Sequence, residues 1–302
     1  MRVNYNEILR DHIAIEMALR AIEEDAFSIA TEASTEEMMH GTTVNGQTQN
    51  NNNAANNQQN QTDTEVSEEA KRKFTDTIKK FIDKLIEMFN RAKIAINNIM
   101  KKMWTTDAGF MKNYQKMKAT TKPIEGYEAI VYQYKDNYLE NTCGGFLRDI
   151  RDRANRVIAN ENGDDPEADQ IIRETISKYS NNNEQNVSEF INNMISEYRG
   201  EKKTIRFNRS MIGALERVVQ TGASGSAYKN FVQETNQGIT NLRAKQNAMR
   251  ANASKEQIKA MAKKCAIVTN LYNAMFSVER TYYSLKTEHY LSARTCLQKF
   301  YS

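Results

Sequence analysis

The sequence has few residues that interrupt helices and few that carry common catalytic chemistry. Its 302 residues include two prolines, three cysteines and three histidines. So few prolines over this length predict long helices, because proline removes a backbone hydrogen bond inside a helix. The cysteines form an odd set without CxxC spacing, which indicates free thiols in a reducing compartment and not a disulfide framework. They are Cys143, Cys265 and Cys296.

Long apolar runs are also missing. No stretch reaches the 18 or so consecutive apolar residues that a membrane span needs. The opening MRVNYNEILRDHIAIEM lacks the unbroken apolar core of a signal peptide. The hydrophobic fraction is only 39%, partly because of the tract QTQNNNNAANNQQNQT. That tract has no apolar periodicity, so we predict a disordered linker over residues 34–66.

The sequence shows no cluster of residues typical of a metal site or a catalytic site. Metal or general-base chemistry needs histidines or carboxylates close together on one face, and the three histidines, His12, His40 and His289, are scattered. Cys143-Gly144-Gly145 offers a nucleophile without an identifiable base, and TGASGSAY at 221–228 lacks the ending of a phosphate-binding loop. We therefore predict a non-enzymatic protein without catalytic residues, metal, cofactor or small-molecule substrate.

Charge is unevenly distributed along the chain. The net charge is +4, but residues 1–66 carry 3 basic and 11 acidic groups. An acidic N-terminal segment beside a basic body indicates docking of one onto the other, as an alternative to each binding an outside partner.

Helical periodicity dominates what is present. Apolar residues at alternating spacings of four and three predict a coiled-coil type of helix from about Asn6 to Glu32. Its stripe is Ile8, His12, Ile15, Leu19, Ile22, Ala26 and Ile29. A second helix should run from near Ser67 to about Thr105, with a shorter helix around FMKNYQKMK after it. Further helices are predicted near 139–160, 166–180, 187–199, 208–220 and 226–250. The last, from about Ser254, has the stripe Ile258, Met261, Cys265, Val268, Tyr272, Met275, Tyr282 and His289.

Two short segments are typical of strands. Ile130, Tyr132 and Tyr134 alternate with Val131 and Gln133 after the break at Pro123, and KKTIRFN at 202–208 is the second candidate. The predicted fold class is mainly α, a multi-helix bundle with long amphipathic helices and a small antiparallel β-ribbon. We divide the chain into an N-terminal amphipathic helix (1–33), the linker (34–66), the long basic helix with the short one (67–120), and a helical body with the ribbon (121–302).

The stretch from Phe74 to Trp104 allows three functions. Its 31 residues would span roughly 46 Å as a helix. It combines a wide apolar face with a basic flank, which suits a helix packed in a bundle, and the acidic first helix, with its matching stripe, favours this interpretation. The same features also suit a helix lying in a membrane interface, and a nucleic-acid contact is the third alternative. The helix-packing or membrane face comprises Phe74, Ile78, Phe81, Leu85, Met88, Ile96, Ile99, Met103 and Trp104.

Two basic clusters are candidates for phosphate contacts. In RDIRDRANR at 148–156, acidic residues alternate with the arginines, which favours a salt-bridged surface. The denser cluster has a phenylalanine among its cations and consists of Lys202, Lys203, Arg206 and Arg209. We take this second cluster as the better candidate for binding DNA.

Between Phe74 and Tyr134, the basic helix ends in KKMWTTDAGFMKNYQKMK and passes into PIEGYEAIVYQY. This stretch resembles a pattern in virion structural proteins of large tailed bacteriophages. In that pattern a long basic helix precedes an Asp-x-x-Phe-x-x-x-Tyr segment and a short Gly-Tyr strand. The matching positions here are Asp107, Phe110, Tyr114, Gly126 and Tyr127. The resemblance implies an internal or head-associated particle component without a known activity, made in the host bacterial cytoplasm, whose partners are other virion proteins or copies of itself.

The function predicted from the sequence is therefore that of a non-enzymatic virion protein that acts through helix packing. The first alternative is a membrane-active protein, ejected or toxin-like, that uses the Phe74–Trp104 face on a membrane surface. The second alternative is a DNA-binding core protein of the particle.

Overall fold

The chain folds into a mainly helical bundle that carries one small β-ribbon, and the predicted fold class is confirmed. In this computed structural model, the structure describes residues 8–15, 17–19, 21, 68–124, 126–160, 164–180, 184–206, 208–222, 226–248 and 254–301. The predicted linker at 34–66 and the part of the first predicted helix beyond residue 21 lie outside the described residues.

The elements follow the predicted order. Residues 8–15 and 17–19 are helical and are called α1. The next elements are α2 (Glu68–Thr120), β1 (Glu128–Tyr132), α3 (Asp136–Tyr138), a π-helical turn (Leu139–Cys143), α4 (Gly144–Ala159), α5 (Ala168–Tyr179) and α6 (Val187–Arg199). They are followed by β2 (Lys202–Arg206), α7 (Arg209–Gly222), α8 (Ser226–Ala248) and α9 (Lys255–Phe300).

Helix α9 forms the centre of the bundle. It packs against α2, α4, α5, α6 and α7, and residues 271–279 are all buried. The sequence predicted one apolar stripe on this helix, but the helix is covered on nearly every side. Three of its buried hydroxyl groups bond to the carbonyl four residues earlier: Thr269 Oγ1 to Cys265 (2.6 Å), Ser277 Oγ to Asn273 (3.0 Å) and Thr281 Oγ1 to Ser277 (3.0 Å). These bonds let polar side chains occupy a core without losing their hydrogen bonds.

Helices α2 and α9 run parallel along each other. The ring of Phe89 lies 5.9 Å from that of Phe276, and further along both helices the ring of Tyr114 lies 5.6 Å from that of Tyr301. Contacts at matching intervals on two long helices place the apolar face of α2 against α9 over many turns.

Helix α2 is continuous, so the predicted break between a long and a short helix is wrong. Residues 105–109 read Thr-Thr-Asp-Ala-Gly, which are mostly weak helix formers. Beyond them, however, Phe110 and Tyr114 are buried and stacked on each other at 5.6 Å, and the Arg294 guanidinium lies 4.7 Å above the Phe110 ring. This packing on the end of α9 outweighs the local preference, and the helix ends only at Thr120, before Pro123.

Side-chain hydrogen bonds fix the start of some helices, α9 among them. At α9, Gln257 N–H donates to Ser254 Oγ (3.3 Å) and Ser254 N–H donates to Gln257 Oε1 (2.9 Å), a reciprocal capping box at the predicted start. At α5 the predicted start is too early, because Glu167 is the N-cap and Pro166 precedes it.

Helix α1 lies on α9. His12 is buried, and its Nδ1 lies 3.0 Å from Ser277 Oγ. Because the Ser277 hydroxyl donates to the carbonyl of Asn273, its oxygen accepts from His12. Arg280 donates to Asp11 at 2.8 Å. Of the predicted stripe, Ile8, His12 and Leu19 are buried and Ile15 is half-buried.

The predicted ribbon is present and antiparallel. Its register runs from Glu128 opposite Arg206 to Tyr132 opposite Lys202. Ala129 and Val131 pack against the core, whereas Ile130 is 72% exposed. The ribbon therefore has one face on the bundle and one face in solvent, as the alternation of its side chains requires.

Candidate functional site

The apolar face predicted on α2 lies inside the bundle. Ile99 is half-buried, and the side chains of Phe74 and Trp104 lie outside the described part. The buried members are Ile78, Phe81, Leu85, Met88, Ile96 and Met103. A membrane can reach this face only if α2 separates from α9. Among the described residues, no helix is both long enough and apolar enough to span a bilayer.

The basic cluster is exposed but divided between surfaces. Lys202, Lys203 and Arg206 are on β2, and Arg209 begins α7. Alternate residues of a strand point to opposite faces, so Lys203 lies on the other side of the ribbon from Lys202 and Arg206. The Lys203 ammonium also pairs with Glu201 at 3.4 Å. The four cations therefore do not converge on one phosphate site.

The other residues that the sequence offered as possible sites have packing or ion-pair contacts in the fold. The three thiols are free and buried, and burial raises the pKa of Cys265 to about 12, which keeps it protonated near neutral pH. Gly145 packs against the Tyr179 ring, because a Cβ added at this glycine would lie 2.2 Å from Tyr179 Cε1.

In the part of the chain that is described, no three histidine, cysteine or acidic residues come together as metal ligands. Two arginines of 148–156 pair with acids, Arg151 with Glu234 and Arg153 with Glu174 at 3.7 Å.

The solvent side of the ribbon, which we call the outer face, carries Glu128, Ile130, Tyr132, Lys202, Thr204 and Arg206. Lys202 Nζ lies 4.9 Å from the centre of the Tyr132 ring, and the Arg199 guanidinium lies 5.4 Å from it. Two cations on one ring keep it in place and leave Ile130 as the exposed apolar side chain at the centre. The outer face therefore has a central apolar residue with charges at both ends.

The two strands differ along their free edges. Gln133 N–H donates to the Glu201 carbonyl at 3.1 Å, which continues the β1–β2 ladder past the strand end. Hydrogen-bonding direction alternates along a strand, so the backbone groups of Glu128, Ile130 and Tyr132 point away from β2. No described residue makes a backbone hydrogen bond with them. The edge of β1 is mostly uncharged, whereas β2 carries three cations, the usual protection of a strand edge.

The base of the ribbon is attached to α9 by a polar cluster that we call the ribbon anchor. It consists of Tyr134, Asp136, Tyr198, Arg199, Glu288 and His289. The first two follow β1, the next two precede β2, and the last two are on α9. The anchor therefore joins both ends of the ribbon base to the central helix.

His289 is the first half of the anchor. Its Nδ1 lies 3.0 Å from Asp136 Oδ1 and 3.0 Å from the Tyr198 hydroxyl, and the Tyr134 ring is stacked on it at 4.1 Å. The hydrogen bond with His289 lowers the pKa of Asp136, so this carboxylate stays ionised. An ionised acceptor at Nδ1 fixes the orientation of the imidazole ring.

Glu288 is the second half. Arg199 donates to it twice, from Nε to Oε1 at 2.8 Å and from the guanidinium to Oε2 at 2.6 Å. The Tyr134 hydroxyl donates to the same carboxylate at 3.2 Å, and burial followed by the charge of Glu288 raises the pKa of this phenol. Bidentate arginine–carboxylate pairs are geometrically specific, so the strand ends are held in a defined orientation.

A cleft of about 380 Å³ lies between the ribbon, α7 and α9. Most of its lining is apolar, including Val131, Ile205, Met211 and Leu215, and His289 forms part of its wall. Cys296 also borders it, but burial raises the pKa of that thiol and keeps it protonated. A protonated thiol is a weak nucleophile, so the cleft is suited to bind a group by its shape and not to react with it through this thiol.

The ribbon anchor was missed by reasoning from the sequence, although half of it was implied there. If residues 128–134 pair antiparallel with residues 202–208, the segment after β1 must meet the segment before β2. Tyr134 and Asp136 would then lie near Tyr198 and Arg199. Nothing in the pattern showed that the end of α9 would meet them.

Comparison with known proteins adds no relative from which a role can be transferred. No family model, curated protein or solved structure matches the chain.

Proposed function

We propose that this protein is a non-enzymatic structural component of a tailed-phage particle, which acts by packing against other protein chains. The supporting observation is a ribbon that is held firmly at its base and exposed along one edge and one face. The assignment to a phage particle depends on the resemblance of residues 74–134, and the mode of action depends on the ribbon.

The bundle supports this proposal because it is a rigid body. Its central helix is covered on nearly every side, and α2 lies parallel to it over many turns. Such a body positions an attached element without changing shape, because closely packed interiors deform little. The ribbon anchor transmits that rigidity to the strands through Arg199 and His289.

The ribbon supports it as the contact surface. An exposed strand edge pairs readily with another chain, and native proteins usually protect such edges. On β1 the unpaired backbone groups lie beside Ile130, which is 72% exposed. The combination is typical of a surface that another chain covers in an assembly.

The two alternatives fit the geometry less well. Membrane insertion through α2 requires the buried face to leave α9, and a DNA contact requires the divided cations of β2 and α7 to act together. Liposome co-sedimentation tests the membrane alternative directly, and salt-dependent DNA retention tests the DNA alternative.

The test is whether the protein is part of the particle. Particles from the source phage are separated on a density gradient, treated with nuclease and high salt, and probed with an antibody against this chain. We expect the protein in the particle band and none at the top of the gradient. A protein that stays with soluble lysate, or leaves the particle band on nuclease treatment, would refute a structural role in the particle.

A further inference from the structure

We infer that the free edge of β1 pairs with the β1 edge of a second copy of this chain, antiparallel and centred on Ile130. The two ribbons would form one four-stranded sheet across a two-fold axis. This inference rests on the proposed function, because it names the partner of the ribbon.

The choice of β1 over β2 follows from the side chains beside each edge. The β2 edge carries Lys202, Lys203 and Arg206, which repel a second basic strand. The β1 edge presents Ala129, Ile130 and Val131 between Glu128 and Tyr132. Residues of this type are favoured in paired strands, and they carry little charge that a neighbour would have to neutralise.

The backbone of β1 is arranged for this pairing. The N–H and C=O groups of Ile130 point to the free edge, because the ladder to β2 uses the groups of the alternate residues, as the bond from Gln133 to Glu201 indicates. A two-fold axis at Ile130 lets each copy donate to and accept from the other at this residue. The Glu128 and Tyr132 backbones then bond to each other across the axis, so the unpaired groups of the edge are satisfied together.

The outer face is complementary to itself in this register. Residues directly opposite in an antiparallel pair share a face, so Ile130 meets Ile130 of the second copy. Glu128 meets Tyr132 of the second copy, and Lys202 lies over the ring of Tyr132 at 4.9 Å. Each Glu128 then has its own Arg206 opposite it on one side and Tyr132 of the other copy on the other side, with Lys202 of that copy one strand beyond. Opposite charges from the two copies therefore lie near both ends of the new interface, and the two ends are identical, as in any isologous contact.

A cysteine cross-link tests the register. Opposite residues in such a pair have Cα atoms about 5.5 Å apart, within the range of a disulfide. The full-length Ile130→Cys variant should therefore form a covalent dimer under mild oxidation, measured by non-reducing electrophoresis. The matched control is Thr204→Cys, on the same outer face but on β2, where the two sulfur-bearing residues would be three strand spacings or ~14 Å apart. We expect no dimer from this control beyond that of the wild-type chain.

Charge exchange tests the complementarity separately. Glu128→Lys or Lys202→Glu should each weaken the dimer roughly tenfold, since two attractions between Glu128 and Lys202 of the other copy become repulsions in each dimer. The double variant should recover most of the wild-type affinity, measured by sedimentation equilibrium. All substituted side chains are exposed, and circular dichroism confirms that each variant is folded.

Two results would overturn the inference: a wild-type protein that stays monomeric at all concentrations, or equal cross-linking of Ile130→Cys and Thr204→Cys. A protein found in the particle band that fails these tests would leave the proposed function standing with a different partner. A dimer that passes them but is absent from particles would reject the proposed function alone.

Discussion

Replacing Glu279 by glutamine should stabilise the fold, and the gain should grow with pH. Glu279 is buried on α9, and burial raises its pKa to about 8, although the charges of Arg151 and Lys286 oppose the change. The folded chain therefore keeps a proton on this side chain that an unfolded chain releases. Glutamine has nearly the same shape and no proton to release.

The size of the effect follows from proton linkage. Below pH 4.5, the ordinary pKa of the group, the carboxyl is protonated in both states and does not change stability. Between pH 4.5 and 8, the unfolded chain ionises while the folded chain stays protonated, so stability falls by about 1.4 kcal/mol per pH unit. Above pH 8 both states are ionised and the loss levels off near 5 kcal/mol. The advantage of the glutamine variant is then about 3 kcal/mol at pH 7 and near zero at pH 4.

The assay is urea unfolding of both proteins at several pH values from 4 to 8.5, with the free energy of unfolding obtained by linear extrapolation. The control is Glu201→Gln, an exposed glutamate beside β2, for which we expect a change within about 0.5 kcal/mol. A difference between Glu279→Gln and wild type that stays constant across this range would show that Glu279 does not keep its proton in the fold.

Three further outcomes are expected. Gly145→Ala should lower stability by about 1–3 kcal/mol in urea unfolding, because the new methyl group would overlap the Tyr179 ring. Gly144→Ala should not lower the stability in this way, because its Cβ would meet nothing closer than 4.0 Å. Arg199→Lys should speed hydrogen exchange in both strands, because the bidentate bond to Glu288 is lost; unchanged exchange would refute the anchor. Anionic liposomes should leave the folded protein in the supernatant, and co-sedimentation would favour the membrane alternative.

The ribbon was predictable because its signal is local. Ile130 and Tyr132 alternate with Val131 between a proline and a helical region, and KKTIRFN supplies the second strand. The antiparallel pairing of the two was confirmed. Which residues face solvent could not be predicted, since both faces of β1 carry apolar side chains. Only the position of the bundle decides that Ile130 points outward.

The long helices show the limits of periodicity. On α9 the stripe from Ile258 to Tyr282 is buried, but so are Asn273, Ser277 and Glu279, which a stripe assigns to the surface. A helix covered on all sides has no polar face to identify. On α2 the weak helix formers at 105–109 predicted an end that packing on α9 removes. In both cases tertiary contacts far along the chain decide the outcome.

The basic cluster was predicted as a group because its residues are neighbours in sequence. In the fold, strand alternation separates Lys203 from Lys202, and Arg209 belongs to α7. The ribbon anchor, by contrast, joins residues that are distant in the sequence and close in the fold. His289 lies 153 positions from Asp136 in the sequence, and only the folded bundle brings them to 3.0 Å.

The parallel contact between α2 and α9 also sets the order in which the protein can fold. α9 follows the other described helices in the chain, and most of them need it to complete their cores. About 180 residues separate the end of α2 from the end of α9, which is a delay of roughly 10–40 s at synthesis rates of about 5–20 residues per second. During that interval the buried face of α2 lacks α9, the helix against which it makes most of its contacts. The nascent chain should therefore need protection by a chaperone, and folding should be slower than for a bundle of sequential hairpins, because its decisive contacts are distant in sequence.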